Sequence, residues 1–258
     1  MSQLLSSLVP ELNVMKKYPP ELFYKGNLEL LKRPKVSIVG TRRPSLYTQQ
    51  FTYTLAKALA SRGVCVVSGV AMGVDAIAHE GAGVENTIAV VANGLNIRYP
   101  VINAPLIEKI EQNGLMLSQF NDGFRAIGWS FVVRNELVVA LGDILIVTEA
   151  DLNSGSMRSV EYALRMGKEI WVLPHRLDES LGTNNLLALG QAKAIQDVET
   201  FVSRFGQVVQ SNVIKDDFFY FCQASPTFDD TVTKFGDRVY EAELEGSVTI
   251  HNGIVRLQ

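Results

Sequence analysis

The chain has 258 residues, 47% hydrophobic and 20% charged, with 20 Gly and 9 Pro, which fits one large folded domain or one large and one small and excludes disordered, collagenous and coiled-coil classes. No uncharged apolar run reaches the roughly 18 residues of a membrane span, so no membrane partner is expected. The formal charge of −3 is uneven: residues 16–62 carry ten basic and two acidic residues and residues 213–258 four basic and eight acidic, which suggests one polyanion-binding face unless the charges are scattered over a solvated surface.

Residues 1–30 read as an N-terminal extension. Their opening, MSQLLSSLVPELNVMKK, has no basic start before its apolar residues, so it is no secretory signal and a cytoplasmic protein is expected. From there strands and helices alternate. The β-branched run at 36–40 predicts a buried strand, and helical spacing over 45–61 predicts a helix closed by Gly63. Further strands are predicted at 64–68, 87–92, 115–118, 144–148 and 169–173, with the most apolar, 144–148, expected to be central. Helices are predicted at 74–81, 105–113, 130–141, 156–166, 184–190 and 197–205, with a short strand near 194–195. This alternation means an α/β domain over 31–205, with a mostly parallel, doubly wound sheet and ligands at the strands' carboxyl ends. Polar residues 206–212 read as a linker. Three short helical patterns (213–223, 226–234, 236–245) and two strands around the Asn252-Gly253 turn signal then outline a small C-terminal winged-helix-like module over 213–258.

Three strand-to-helix loops suit phosphate. The loop Gly40-Thr41-Arg42-Arg43-Pro44-Ser45 offers backbone N–H groups, a positive helix end and two guanidinium groups; a structural turn with solvated arginines is the alternative. In 68–75, Gly69 and Gly73 permit close backbone approach, Asp75 stands where it would cap the next helix, and His79 shares its face. Ser154-Gly155-Ser156 places small hydroxyl residues at a helix start, where plain capping is the alternative. Trp129, Phe131 and Arg134 combine aromatic rings with a guanidinium, as proteins that grip unstacked bases do, unless both rings are core. Cys65 and Cys222 make neither a disulfide framework nor a metal site, and no HExxH, GxSxG or GxxxxGK[ST] occurs. No catalytic residue, metal or cofactor is therefore expected.

Together VSIVGTRRPS (36–45), VVSGVAMGVDAIAH (66–79), TIAVVANGLNIRYPVIN (87–103), FVVRNELVVAL (131–141), SGS (154–156) and GTNNLLALGQA (182–192) resemble the DNA-processing protein A family (DprA/Smf) over roughly residues 18–205. The resemblance implies a Rossmann-like domain that binds single-stranded DNA and forms a homodimer. It also implies protection of incoming DNA and loading of the RecA recombinase in natural transformation. It carries DNA-backbone contacts to Gly40, Thr41, Arg42 and Arg43, a second contact loop to Ser68 and Gly69, and the family's Arg-Asn motif to Arg134 and Asn135. Phe131 is expected to meet a base, and Ser154, Gly155 and Ser156 to supply the third loop. The chain departs from the family at 126–129, which has no lysine and only Arg125 nearby. It departs again at Glu136, where members commonly carry Arg, weakening the local positive field. The N-terminal sterile-alpha-motif-like domain of many members is not expected here. Two other readings are a Rossmann-like nucleotide phosphoribohydrolase, whose PGGxGTxxE loop would fall at 151–161 without the paired glycines and end at Glu161, and an interaction scaffold without DNA affinity. The third helix of the C-terminal module carries four acids and one Arg, so that module is expected to bind protein or pack on the main domain rather than bind duplex DNA.

Overall fold

The computed structural model describes residues 2–206, 216–244 and 247–257, so the expected linker beyond Gly206 and the expected helix stop at Gly246 lie outside the described residues. The chain divides into two compact units, Met1–Val209 and Gln210–Gln258. No helix among the described residues is long and apolar enough to cross a membrane.

In the first unit the described strands form one sheet: β1 (Gln3–Leu4), β2 (Phe23–Gly26), β3 (Lys35–Val39), β4 (Cys65–Ser68), β5 (Thr87–Val91), β6 (Leu115–Ser118), β7 (Ile144–Val147), β8 (Ile170–Val172) and β9 (Lys193–Ala194). Their spatial order is β1-β2-β6-β5-β4-β3-β7-β8-β9. All neighbours from β6 to β9 are parallel, and β1 and β2 add antiparallel at one edge. The helices are α1 (Leu46–Ala60), α2 (Val74–Ala82), α3 (Ala104–Asn113), α4 (Gly128–Leu141), α5 (Gly155–Arg165), α6 (Leu181–Ala188) and α7 (Val198–Val202).

Both faces of the sheet are covered, and strand side chains alternate between two cores. Val36 and Ile38 pack with Leu55 and Leu59 of α1 and Ala78 of α2. Val39, Cys65 and Val67 pack on the opposite face with Leu137 and Leu141 of α4. Strands buried on both faces read as continuous apolar runs, which is why the sequence locates them within a residue or two. The same burial makes apolarity a poor guide to rank. Although β7 is the most apolar strand, it lies two places from the middle of the order, which β4 occupies. The N-terminal stretch is woven into the domain: Val9, Leu12, Met15, Leu22 and Leu30 belong to the core that holds Leu137–Leu141.

From β3 the chain winds outward through β4, β5 and β6, then returns through α4 to place β7 on the other side of β3. Helices therefore diverge above the carboxyl ends of β3 and β7, a topological switch point where such sheets bind ligands.

The second unit contains α8 (Asp217–Gln223), α9 (Phe228–Phe235), α10 (Arg238–Leu244) and the hairpin β10 (Val248–His251) and β11 (Ile254–Leu257). Its own core comprises Phe218, Cys222, Val239, Ala242, Val248 and Val255. Asn252 and Gly253 both take positive φ, as a primed hairpin turn requires. Asp216 caps α8 through the Phe218 and Phe219 N–H groups and pairs with Arg238. The only Arg of α10 is thus already neutralised.

Candidate nucleic-acid interface

The loops after β3 and β7 are laced together at the switch point. The Thr41 N–H donates to the Glu149 carbonyl at 2.8 Å, and the Val74 N–H donates to the Thr41 carbonyl at 3.1 Å. Gly73 permits this close approach: its φ is +77°, and a Cβ there would fall 2.5 Å from the Thr41 oxygen. Above the lacing opens a cleft of about 570 Å³ lined by Gly40, Thr41, Arg42, Phe131, Arg134, Asn135, Ser154, Gly155 and Ser156. That volume suits a small-ligand or single-nucleotide site. Arg158 and Ser159 of α5 also line it, although in the sequence they look like ordinary helix surface.

The expected residues divide into wall, floor and scaffold. Arg42 is exposed on the wall, with its guanidinium carbon 5.9 Å from the centre of the Phe131 ring. Arg134 lies at the same distance from that ring, and Tyr99 approaches it at 6.2 Å. Phe131 is half-buried rather than core, recessed between two cations and a second aromatic. Arg43 is exposed but does not line the cleft.

Arg134 is a floor residue, only 6% exposed. Its Nη1 donates to the carbonyls of Gly69 and Val90, and its Nε donates to Asn135 Oδ1. Burial works against its charge, the Asp75 carboxylate supports it and Arg42 opposes it. The expected Arg-Asn contact is therefore split. Arg134 braces the loops from below, while Asn135 lines the cleft with its amide NH₂ unengaged among the described residues. Ser68 and Gly69 are likewise scaffold. Both are buried, and the Ser68 hydroxyl donates to the Ile38 carbonyl at 2.6 Å, so it is not available to a ligand.

Asp75 does not cap α2. It turns back to accept the Ala71 N–H at 3.3 Å, and burial raises its carboxyl pKa against the pull of Arg134. The loop it braces holds Val70 at φ +55°, a strained conformation for a β-branched residue. Asn103 fixes it by donating to the Val70 and Ala71 carbonyls at 2.9 and 3.1 Å.

The two helix N-termini at the cleft differ. The expectation that α1 offers its positive end to a phosphate is corrected. Ser45 Oγ caps the Thr48 N–H, and Glu149 Oε2 accepts from the Ser45 N–H at 3.0 Å and its hydroxyl at 2.9 Å. A carboxylate already stands there. The α5 end is open: Ser154 makes no side-chain cap, its buried Oγ has no partner, and the Gly155 and Ser156 N–H groups find no acceptor among the described residues. The phosphate-suited terminus is α5.

Trp129 is 54% exposed, so the alternative that its ring is core does not hold. One further expectation changes. The basic segment 16–62 is not one face, because much of it is spent on internal bonds. Lys25 pairs with Glu111, Lys32 with Glu29, Lys35 with Glu11 and Arg62 with Glu199, while Arg33 binds Gly63 O and Asn86. Glu136, the acid in the family's Arg position, accepts the Lys16 N–H at 3.2 Å. Glu161, which the phosphoribohydrolase reading would use, is exposed and paired with Arg158.

The same fold recurs among known proteins. A solved structure of DNA processing protein A from Helicobacter pylori, from work on its single-stranded DNA binding mode, matches with a TM-score of 0.78 at 43% identity, over 79% of this chain and 95% of that one. The crystal structure of DprA from Streptococcus pneumoniae matches with a TM-score of 0.73 at 32% identity, over 80% of this chain and 75% of that one. In sequence, the Smf protein of Escherichia coli is 36% identical over 168 residues, covering 64% of this chain. The match spans only 45% of that relative, and 48% of the Synechocystis Smf protein. The sequence model of the DNA recombination-mediator protein A family matches residues 6–206, which include the whole cleft and every strand of the main sheet except the edge strand β1. The chain belongs to the DNA recombination-mediator protein A family, the DprA/Smf proteins.

Proposed function

We propose that this chain binds single-stranded DNA in the cleft at the β3/β7 switch point. The observation that carries the reading is the convergence there of Arg42, the recessed Phe131 ring and the open N-terminus of α5. Arg42 and the Gly155 and Ser156 N–H groups hold phosphate, and Phe131 receives a base. A ring recessed between Arg42, Arg134 and Tyr99 is reachable only by a base that has left its stack, which selects single strands over duplex. Arg134, Asp75, Ser68 and Gly69 hold the floor. We propose further that it hands the strand to RecA during natural transformation, as a homodimer in the cytoplasm; of this, the family's name, DNA recombination-mediator protein A, supports the part in recombination.

The test is fluorescence anisotropy of a labelled oligo-dT against a duplex of equal length. Single-strand affinity at least tenfold above duplex affinity is expected. Equal affinities would contradict the recessed-base reading.

A further inference from the structure

We propose that Trp129, backed by Phe120 and Phe124, is a second base-stacking station for the same single strand, just outside the phosphate cleft. The inference rests on the single-strand reading above.

Trp129 leaves more than half its surface in water, yet its ring is fixed. It meets Phe120 and Phe124 edge-on at 5.6 and 5.8 Å, and those two rings stack on each other at 4.4 Å and 11°. The loop that carries them is tied down: the Gly94 N–H donates to the Phe124 carbonyl at 2.9 Å, and the Gly123 N–H to Asn96 Oδ1 at 2.7 Å. An indole held in place with an open surface loses little conformational freedom when a base stacks on it.

Position and charge name the occupant. Gly128, the residue before Trp129, lines the phosphate cleft, so the aromatic ledge begins where the cleft ends. The 119–130 segment has one base, Arg125, and one acid, Asp122. Arg125 is exposed and forms no ion pair among the described residues, whereas Asp122 is turned to the N-terminus and accepts the Ser2 N–H at 3.5 Å. An exposed guanidinium without an ion-pair partner among the described residues, four positions before a supported indole, matches a nucleobase and its phosphate. Stacking there is tolerant of sequence, since every base has a π face.

The experiment uses the full chain with Trp171→Phe, which leaves Trp129 as the sole tryptophan of the original two. Oligo-dT of increasing length is titrated, with anisotropy of a labelled oligonucleotide read alongside tryptophan emission. Quenching of Trp129 on binding is expected. In the same background Trp129→Leu should weaken binding of long oligonucleotides about five- to a hundredfold, have little effect on the shortest that bind, and be largely rescued by Trp129→Phe. Tight binding with unquenched Trp129 and undiminished affinity of Trp129→Leu overturns the ledge while leaving the cleft intact. A changed oligomeric state of Trp129→Leu with unchanged DNA affinity also overturns it, assigning the ledge to protein contact. Failure of every oligonucleotide to bind the unsubstituted chain removes the single-strand reading, and this inference with it.

Discussion

The guanidinium of Arg134 lies where a side chain on Gly69 would begin: a Cβ at residue 69 would fall 2.2 Å from Arg134 Nη1 and 2.6 Å from Asp75 Oδ2. The helix α4 and the loop after β4 therefore meet through one buried guanidinium, which donates to the Gly69 carbonyl. Arg134→Ala strips donors from the Gly69 and Val90 carbonyls and leaves Asp75 buried without its nearest cation. The expected loss is about 3–5 kcal/mol of unfolding free energy, measured by urea denaturation. An unchanged midpoint would show that the guanidinium is not structural.

Glu149 occupies the α1 N-terminus and places a negative charge beside the Arg42 loop. Glu149→Gln removes the charge and keeps an acceptor for Ser45. It should lower stability by about 0.3–1 kcal/mol while tightening single-strand binding a few-fold. Weaker binding by a folded Glu149→Gln chain would mean that its charge helps rather than opposes the DNA.

His79 is fully buried, with Nδ1 2.8 Å from Thr87 Oγ1 and no partner on Nε2 among the described residues. Burial, reinforced by the charge of Arg134, pushes its pKa down to about 3. The unfolded chain binds a proton near pH 6.5 that the folded chain refuses, so this group's contribution is present above 6.5 and lost as pH falls toward 3. The slope approaches about 1.4 kcal/mol per pH unit. Stability of His79→Gln, measured from pH 7 to 4, should fall less steeply by about one proton. Parallel profiles would contradict the buried neutral imidazole.

The second unit has its own core, and its α10 cation is spent on Asp216. Lys234 lies over the Phe221 ring at 4.3 Å. A chain ended after Gly206 should keep its single-strand affinity within about threefold, by anisotropy. A tenfold loss would place part of the DNA interface in the C-terminal module.

The parallel strands and the loops that follow β3 and β7 were legible in the sequence because strands buried on both faces leave unbroken apolar runs and those loops follow them with glycine and hydroxyl residues. What was not legible depends on contacts between distant positions. Glu149 meets Ser45 across 104 residues, and nothing local marks it as the α1 anion. Leu137 to Leu141 make α4 apolar nearly all round, so spacing alone does not show that Arg134 turns inward while Trp129 turns outward. The strand β2 is four residues, FYKG, too short for periodicity to separate from a loop.

The most direct test of the central claim is the salt dependence of oligo-dT binding for the unsubstituted chain and for Arg42→Ala. Two to four phosphate contacts predict a slope of log affinity on log salt of about −1.4 to −2.8, and removing Arg42 should reduce its magnitude by about 0.7. Affinity should also fall about ten- to a hundredfold, the worth of one charge-assisted hydrogen bond. A flat salt response, or a folded Arg42→Ala chain with unchanged slope and affinity, would contradict a phosphate-binding cleft at the β3/β7 switch point.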